Sequence, residues 1–378
     1  MSAATLRRFA ISLILPAMLL FAACGSGRGG GGCAAADCCG PSAACQGPQF
    51  LYATGLDGQI SIFPVDNSTG GLSFPTQVSG APTQTLGMAS IDSQFLYVSN
   101  NQAGVGQTST IDAWSIDTST GALTPVPGSP FSLSPLSVAA GLAGDDFSQV
   151  LYVGDAGRID ALKADVTGAL SPILGSPFPG ATNLYLTVDP QHRFLFASDD
   201  SPPGNVLAYT IDSSTGALTA VPGSPFPTIP NFVGTTRPFQ VVVDQTGSFV
   251  YTVLSGTNQV AAFSIVAPSG VLNPVPGSPF AAGNTPIALT AINNFLYVSN
   301  ALDGTLSGYS INPASGVLTP LAGSPFAIHA GAITSAEKYL YTTGSGGMQA
   351  FSIDLTTGAL TQVGSIIPYA GATVLVFQ

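Results

Sequence analysis

The sequence predicts an all-β fold, a seven-bladed β-propeller of four-stranded antiparallel blades whose ring is closed by the C-terminal strand. The stretch Gly121–Phe131 (Gly-Ala-Leu-Thr-Pro-Val-Pro-Gly-Ser-Pro-Phe) returns almost unchanged at Gly216–Phe226 and in more divergent copies elsewhere. An aromatic strand of the Phe-Leu-Tyr type recurs every 44 to 55 residues or so, about the repeat length of a four-stranded propeller blade. The whole chain contains one glutamate and two lysines, residues that surface helices use in quantity.

Residues 1–23 are predicted to be an export signal. Arg7 and Arg8 give a positive start, and the apolar run Phe9–Ala23 is too short for a confident spanning helix. The run ends in Leu-Phe-Ala-Ala-Cys-Gly, which resembles the lipobox of bacterial lipoproteins. We therefore expect Cys24 to be the lipidated first residue of the mature chain. The alternative is an ordinary cleaved signal that leaves a free cysteine nearby.

Residues 24–48 are rich in Gly, Ala and Ser and are predicted to form a flexible tether. Once Cys24 is acylated, four thiols remain in an oxidising compartment, so one or two local disulfides are expected, with the pairing open. These thiols belong to Cys33, Cys38, Cys39 and Cys45. A small metal site is disfavoured, because no histidine is near and the spacing matches no zinc pattern. No cysteine follows, so disulfides are not expected to hold the main fold.

From residue 49 onward a four-strand unit repeats seven times. An aromatic strand comes first, then an alternating strand such as Thr110–Ile116, then the turn Asp117–Gly121. In that turn the aspartate bonds the backbone two residues on, and the glycine takes a positive φ. The Gly-Ala-Leu-Thr-Pro stretch is the third strand, closed by Gly-Ser-Pro-Phe, and an apolar run such as Phe239–Asp244 is the fourth. The aromatic strands begin at Phe50, Phe95, Val150, Phe194, Phe249, Phe295 and Tyr339.

The two ends of the repeat array predict how the ring closes. The first unit begins directly with its aromatic strand, Gln49–Thr54, and the last unit is followed by an orphan strand, Thr373–Phe377. We expect the orphan strand to become the inner strand of the first blade, which leaves no open sheet edge at the seam. Pro125 and Pro127 cannot donate to a ladder, so the Gly-Ala-Leu-Thr-Pro stretch is assigned to the outer edge of each blade.

Four sequence blocks resemble the lactonase-type seven-bladed β-propellers, also known by their Tyr-Val-Thr-Asn repeats. Tyr97–Asn100 and Tyr297–Asn300 both read Tyr-Val-Ser-Asn, and Val188–Phe196 and Val243–Tyr251 add two further matches. The resemblance covers about residues 49–378 and implies the seven-bladed fold. Some members of that family are 6-phosphogluconolactonases and many others are not enzymes, so the resemblance makes lactone hydrolysis an alternative function.

A ligand site is predicted at the channel mouth, on the face that carries the variable connections between strands. The resemblance implies that polar and charged residues at the crossovers before the inner strands line the cavity. His329 is the candidate general base, and Arg237 the candidate group for a carboxylate or an oxyanion. The alternative is that both are solvated loop residues. The crossover positions are Gln84, Ser134, Asn183, Arg237, Thr285, His329 and Tyr369.

Other polar residues have structural explanations. His192 falls on a predicted turn of the opposite face. Asp117, Asp212 and Asp354 sit in equivalent turns of different blades and are expected to cap those turns, not to bind a metal. Trp114, the one tryptophan, is expected in the core.

The charge balance limits the partners. The 19 acidic and eight basic residues give a net charge of −11, and no basic stripe is present, so nucleic-acid binding is disfavoured. No cofactor motif and no nucleophile-elbow motif occur. The sequence therefore predicts an exported, lipid-anchored, monomeric propeller of the cell envelope, facing the periplasm or the exterior. It would bind a small molecule or a protein without evident catalysis, and a lactone hydrolase of the 6-phosphogluconolactonase-like type is the alternative.

Overall fold

A computed structural model describes most of the chain from residue 48 onward. The described residues are 48–55, 58–83, 85–101, 109–133, 139, 141–155, 157–180, 185–344, 346–369 and the strand at 374–377. They form strands and turns, with no helix among them, and hence none that could cross a membrane. The predictions for the export signal, the lipidated Cys24 and the tether with its cysteines lie outside these residues.

The strands fall into seven sheets along the chain. The first sheet contains β1 (Gln49–Thr54), β2 (Gln59–Val65) and β3 (Thr76–Ser79). The second sheet contains β4 (Met88–Ile91), β5 (Phe95–Asn100), β6 (Thr110–Ile116), β7 (Leu123–Pro125) and β8 (Phe131–Ser132). The third contains β9 (Leu142–Asp145), β10 (Val150–Asp155), β11 (Arg158–Ala164), β12 (Leu170–Pro172) and β13 (Phe178–Pro179). The fourth contains β14 (Leu186–Val188), β15 (Phe194–Asp199), β16 (Asn205–Ile211), β17 (Leu218–Ala220) and β18 (Phe226–Pro227).

The remaining sheets follow the same order. The fifth contains β19 (Pro238–Val243), β20 (Phe249–Leu254), β21 (Gln259–Val266), β22 (Val271–Pro274) and β23 (Phe280–Ala281). The sixth contains β24 (Pro286–Ile292), β25 (Phe295–Asn300), β26 (Thr305–Ile311) and β27 (Leu318–Pro320). The seventh contains β28 (Ile333–Ala336), β29 (Tyr339–Gly344), β30 (Gly347–Ile353) and β31 (Leu360–Ile367), and the final strand is β32 (Val374–Phe377).

Each sheet is one antiparallel blade of a seven-bladed propeller, as the sequence predicts. We letter its strands a to d from the channel outward, so that β4, β5, β6 and β7 are strands a to d of blade 2. The inner strands β4, β9, β14, β19, β24, β28 and β32 contact one another in turn around a closed ring. Blade 1 takes β32 as its inner strand, with Tyr52 paired to Val376 and Leu51 to Phe377. The predicted closure is confirmed over the described strand Val374–Phe377.

The core lies between neighbouring blades, where strand b is almost wholly buried. In blade 3, for example, every residue of β10 is buried. Seven separate apolar clusters fill the gaps between successive blades. Trp114 lies in the cluster between blades 1 and 2, beside Tyr52 and Leu96, so its predicted place in the core is confirmed.

In five blades a tyrosine of strand b joins its blade to the next. Tyr52 Oη of blade 1 donates a 3.0 Å hydrogen bond to the carbonyl of Gly121, in the turn between strands c and d of blade 2. Burial raises the pKa of the Tyr52 phenol well above its usual range, and the charge of Asp117 adds to the effect, so the hydroxyl stays protonated and donates. Blade 4 has Phe196 at the equivalent position. The bond recurs as Tyr97–Gly168, Tyr152–Gly216, Tyr251–Gly316 and Tyr297–Gly358.

The turn that receives this bond requires glycine for two reasons. Gly121 has a φ of 72°, and a Cβ there would lie 2.5 Å from Cδ1 of Phe50 in the preceding blade. The aspartate that opens the turn acts as predicted, since Asp117 Oδ1 accepts the amide of Ser119 at 2.9 Å. Asp212 and Asp354 cap their turns in the same way. Hydrogen bonds from Ser214 and Thr215 lower the pKa of Asp212 to about 2.

The outer strand differs from the prediction, which had strand d run on and close with Gly-Ser-Pro-Phe. Strand d of blade 2 stops at Pro125 after three residues, and the chain bulges away before Phe131 returns to pair with Ile111 at the start of strand c. The amide of Ala113, which faces the gap, donates instead to Ser129 Oγ at 2.9 Å. The prolines prevent a continuous ladder, and the serine replaces the missing backbone partner. Ser176, Ser224, Ser278 and Ser324 make the same bond.

The contact between blades predicts a difference between two glycine substitutions. Gly364, in the outer strand of blade 7, has a φ of 67° and nothing within 4 Å of a built Cβ, whereas Gly121 faces Phe50. Gly364→Ala should cost only the left-handed backbone penalty, on the order of 1 kcal/mol. Gly121→Ala should cost an additional ~1–3 kcal/mol, because the new methyl overpacks the joint. Urea denaturation of both variants measures the difference, and equal losses would contradict the proposed role of the joint.

Candidate functional site

A cavity of about 300 Å³ opens at the end of the channel where the inner strands begin. The connections from strand d to strand a end here, and those from strand b to strand c share the same face. The floor of the cavity is apolar and buried, and consists of Met88, Leu142, Leu186 and Ile333. The rim is more exposed and includes Leu86, Phe239, Ile287 and Gly331.

One ring of residues, the middle ring, lies between the floor and the rim. In each of blades 2 to 7 the third residue of strand b pairs with an equivalent residue of strand a, for example Tyr251 with Val242 and Tyr297 with Thr290. The residues two positions before these strand-a residues therefore lie at one level of the channel. They are Gly87, Gly141, Tyr185, Gln240, Ala288 and Ala332. Four of these positions are Gly or Ala, so among the described residues the polar side chains of the ring come from the adjacent blades 4 and 5.

Irregular pairing brings large side chains to the rim in two blades. Strand a of blade 5 bulges between Pro238 and Val241, and strand a of blade 6 bulges between Pro286 and Ala288. Each bulge adds a residue to the strand and redirects the side chains beside it. The residues in the bulges include Phe239 and Ile287, both of which line the cavity.

Tyr185 and Phe239 form an aromatic surface in the cavity wall. Their ring centroids are 4.2 Å apart and their planes are tilted by 38°. Burial, with a smaller effect from the charge of Asp200, raises the pKa of Tyr185 to about 12. The phenol is therefore neutral at physiological pH and keeps its proton as a donor.

Gln240 is held in one orientation by the neighbouring blade. Its Oε1 accepts the backbone amide of Leu289 at 2.8 Å, and its own carbonyl accepts the hydroxyl of Thr252 at 3.0 Å. Because an N–H can be met only by the amide oxygen, the assignment of Oε1 and Nε2 is fixed. Nε2 has no hydrogen-bond partner among the residues that the structure describes. The side chain thus offers neutral donors in the cavity wall.

Hydroxyl groups near the end of strand b hold the backbone of the cavity in place. Ser99 Oγ accepts the amides of Leu86 at 3.1 Å and Gly87 at 2.8 Å. In blades 4 and 7 the equivalent hydroxyls belong to Ser198, which accepts from Tyr185, and to Thr343, which accepts from Ala332. Ser99 is the serine of the Tyr-Val-Ser-Asn block. This role was not predicted from the sequence, although the recurrence of a hydroxyl residue at this position was the available signal.

None of the lining residues that the structure describes bears a formal charge. Arg158, at the start of strand c in blade 3, is paired with Asp155 at 2.7 Å and with Asp160 at 3.5 Å. No group of three or more His, Cys, Asp or Glu residues that could hold a metal ion occurs within the described ranges. The cavity as described is therefore electrically neutral, with apolar, aromatic and uncharged hydrogen-bonding surfaces.

The two residues predicted to be catalytic lie just before the cavity wall. Arg237 is exposed, has a φ of 50°, and its carbonyl accepts the amide of Ser255 at 3.1 Å. His329 is also exposed, and its ring covers Gly304, where a Cβ would lie 2.8 Å from the His329 Cδ2. Each precedes a rim residue by two positions and is not itself among the residues lining the cavity. Their chemical roles stay predictions.

Of the other residues predicted at the channel mouth, those that the structure describes are not among the residues that line the cavity. Thr285 precedes the rim by two positions, and its amide donates to Asn258 Oδ1 at 2.9 Å. The Tyr369 ring meets Phe63 edge-on, with centroids 5.6 Å apart, and packs against the apolar cluster between blades 7 and 1. Gln84, Ser134 and Asn183 lie outside the described residues.

His192 lies on the opposite face, as predicted. Its Nδ1 is 2.6 Å from Oδ1 of Asp145, a fully buried carboxylate at the end of strand a in blade 3. The pair joins the turns of blades 3 and 4, which is a structural role.

Comparisons with known proteins agree with this fold. Residues 216–335 match the family model described as a lactonase with a seven-bladed β-propeller. No curated protein sequence matches the chain.

Solved structures of similar fold cover nearly the whole propeller. A candidate 6-phosphogluconolactonase from Bacteroides fragilis has a TM-score of 0.72 at 19% identity, over 90% of this chain and 100% of its own. A second, from Bacteroides uniformis, has 0.71 at 18% identity, over 88% and 99%. The periplasmic gluconolactonase of Pseudomonas aeruginosa has 0.67 at 17% identity, over 87% and 99%. At such identities the likeness establishes the fold, and the resemblance to lactonase-type propellers is confirmed at that level.

Proposed function

We propose that this lactonase-type propeller binds an uncharged lactone in the cavity at the channel mouth. The observation that carries the proposal is the lining itself: a pocket of about 300 Å³ with apolar, aromatic and neutral hydrogen-bonding surfaces and no charged side chain among the described lining residues. This combination is typical of sites for small neutral molecules, in which a few polar groups fix the orientation of the ligand.

The charge of the lining favours a neutral lactone over a phosphorylated one. A phosphate dianion needs several basic groups, which are best supplied as charge-assisted or bidentate hydrogen bonds. On this face Arg158 is engaged with Asp155 and Asp160, and the exposed Arg237 lies two residues before the rim. The structural neighbours include proteins named for 6-phosphogluconolactone and one named for gluconolactone, which has no phosphate. Of these two ligand types, the neutral one suits this cavity.

The aromatic surface suits the flat, apolar side of a lactone ring. The Tyr185 and Phe239 rings pack against each other in the cavity wall, and Ile287 continues the rim on the next blade. Small residues on most of the middle ring leave the space that a six-membered ring requires. Stacking of this kind contributes by excluding water from the ring face.

Binding measurements on the purified chain test this proposal. Glucono-δ-lactone and δ-valerolactone should bind in ligand-observed NMR titrations, and gluconolactone 6-phosphate should bind at least about tenfold more weakly, because its charge loses hydration without gaining a cation. Ala332→Phe fills the middle ring and should abolish binding. Ala314→Phe makes the same substitution in an exposed turn of blade 6 and should leave binding unchanged. Preferred binding of the phosphorylated lactone, or equal binding by both variants, would refute the proposal.

Hydrolysis of the bound lactone is the second candidate function, and the family match to residues 216–335 favours it. In this reaction water adds to the lactone carbonyl, the ring C–O bond breaks, and the product is the open hydroxy acid. His329 is the predicted base for the attacking water, and Arg237 the predicted partner of the oxyanion. Both lie on crossovers that lead into the rim.

Turnover measured by acid release in a pH-stat distinguishes catalysis from binding alone. If the chain is a hydrolase, it should open glucono-δ-lactone faster than buffer does. His329→Ala and Arg237→Ala should each lower kcat/KM by about 100-fold. Turnover that survives both substitutions but is lost in Ala332→Phe would assign the chemistry to other residues of the cavity. Binding without turnover would support a purely binding function.

We also propose that the chain is exported and anchored through a lipid on Cys24, which would place the propeller in the cell envelope. The support is the positive start, the apolar run and the small residues that precede Cys24. In a bacterial host supplied with radiolabelled palmitate, the wild-type chain should take up label and fractionate with membranes. Cys24→Ser should do neither. Equal labelling of the two chains would contradict the anchor at this position.

A further inference from the structure

We propose that Gln240 determines specificity in this cavity by donating a hydrogen bond to the carbonyl oxygen of a closed, uncharged lactone, so that the ring-opened hydroxy acid is discriminated against. The inference rests on the proposed binding of a neutral lactone and adds which form of the ligand is recognised and by which residue. It applies whether or not the lactone is hydrolysed.

The orientation of the Gln240 amide is the first step of the argument. Its oxygen is committed to the backbone amide of Leu289 in the next blade, at 2.8 Å. The two N–H donors on Nε2 have no partner among the described residues, and the side chain is only half-buried. Water can therefore satisfy them until a ligand acceptor displaces it. A donor whose position is fixed before binding loses little rotamer entropy when the ligand arrives.

The composition of the middle ring is the second step. At the level of Gln240, blades 2, 3, 6 and 7 carry Gly87, Gly141, Ala288 and Ala332, which have no side-chain donor. The one other polar side chain among the described residues of this ring is the neutral phenol of Tyr185 in blade 4. A ligand oxygen at this level thus meets neutral donors from blades 4 and 5, and the other described positions of the ring, Gly or Ala, offer no side-chain donor.

The chemistry of the two ligand forms is the third step. A lactone carbonyl is uncharged and is well served by one or two neutral donors. Opening of the ring produces a carboxylate, which must give up much stronger hydration to enter the cavity. No described lining residue supplies a compensating cation. The same donors therefore retain the closed ring and release the open acid.

The repeat itself supplies the variants for a test. Gln240→Ala reproduces blade 6, where Ala288 occupies the equivalent position. Gln240→Glu is the more informative change, because one carboxylate oxygen can still accept the Leu289 amide while the N–H donors are lost. Gln362→Ala removes an exposed amide from the outer strand of blade 7 and serves as the matched control.

Two matched ligand series separate recognition of the carbonyl from recognition of the ring. The first is glucono-δ-lactone, 1,5-anhydroglucitol and gluconate, and the second is δ-valerolactone, tetrahydropyran and 5-hydroxypentanoate. In each series the ether keeps the ring without the carbonyl, and the acid is the opened form. Dissociation constants are measured by ligand-observed NMR on the wild-type chain and the three variants, with melting temperatures recorded alongside.

We expect the wild-type chain to bind each lactone about tenfold or more tightly than its ether and its acid. Gln240→Glu and Gln240→Ala should remove the preference over the ether by weakening lactone binding about tenfold, with ether binding within about twofold of wild type. Gln362→Ala should change nothing. Equal weakening of lactone and ether, or no weakening of either, would overturn the role of Gln240 while leaving lactone binding intact. A wild-type chain that binds neither lactone would overturn the proposed function and this inference together.

Discussion

The contact between strand b of one blade and the turn between strands c and d of the next is the constraint on which the ring depends. A four-stranded blade cannot bury its own faces, so its aromatic strand must be covered by its neighbour. Phe50 rests on Gly121 while Tyr52 donates to the carbonyl of the same residue. The seam between blades 7 and 1 repeats the arrangement, with Tyr339 over Gly70 and its hydroxyl on the Ser68 carbonyl at 2.9 Å.

The residues that form this contact are the residues that repeat, which is why the architecture could be predicted from the sequence. The aromatic strand and the glycine recur in every unit, and an aspartate opens most of the turns, with Val266 in blade 5 and Asn312 in blade 6. The spacing of these residues indicated the blade count, and the two ends of the array indicated the closure by β32. The break in strand d could not be predicted in the same way. Ser129 has counterparts in four other blades, but its repetition does not reveal which backbone amide it accepts, here that of Ala113 on the neighbouring strand.

Which residues at the mouth of the channel line the cavity depends on the register of the inner strand, which the repeated sequence landmarks do not determine. Strand a is the least repetitive strand, and bulges at Pro238 and Pro286 add residues that a count from sequence landmarks cannot detect. Arg237 and His329 were chosen as the last residues before the strand, whereas the lining begins two residues later. The pairing of strand a with strand b shows that Tyr185 and Gln240 lie at the same level of the channel, and this could not be read from the sequence.

The anchoring of the mouth explains how one scaffold can change its ligand without changing its fold. Ser99, Ser198 and Thr343 fix the backbone by accepting its amides. The side chains of the middle ring are therefore not needed to hold their own blades. Substitution there alters charge and space without changing the contact between strand b and the turn of the next blade, although replacing Gln240 with a residue that has no side-chain oxygen also removes the bond from Leu289 of blade 6. In this chain the described ring is neutral, and its polar side chains among the described residues are those of Tyr185 and Gln240, while the other described positions are Gly or Ala.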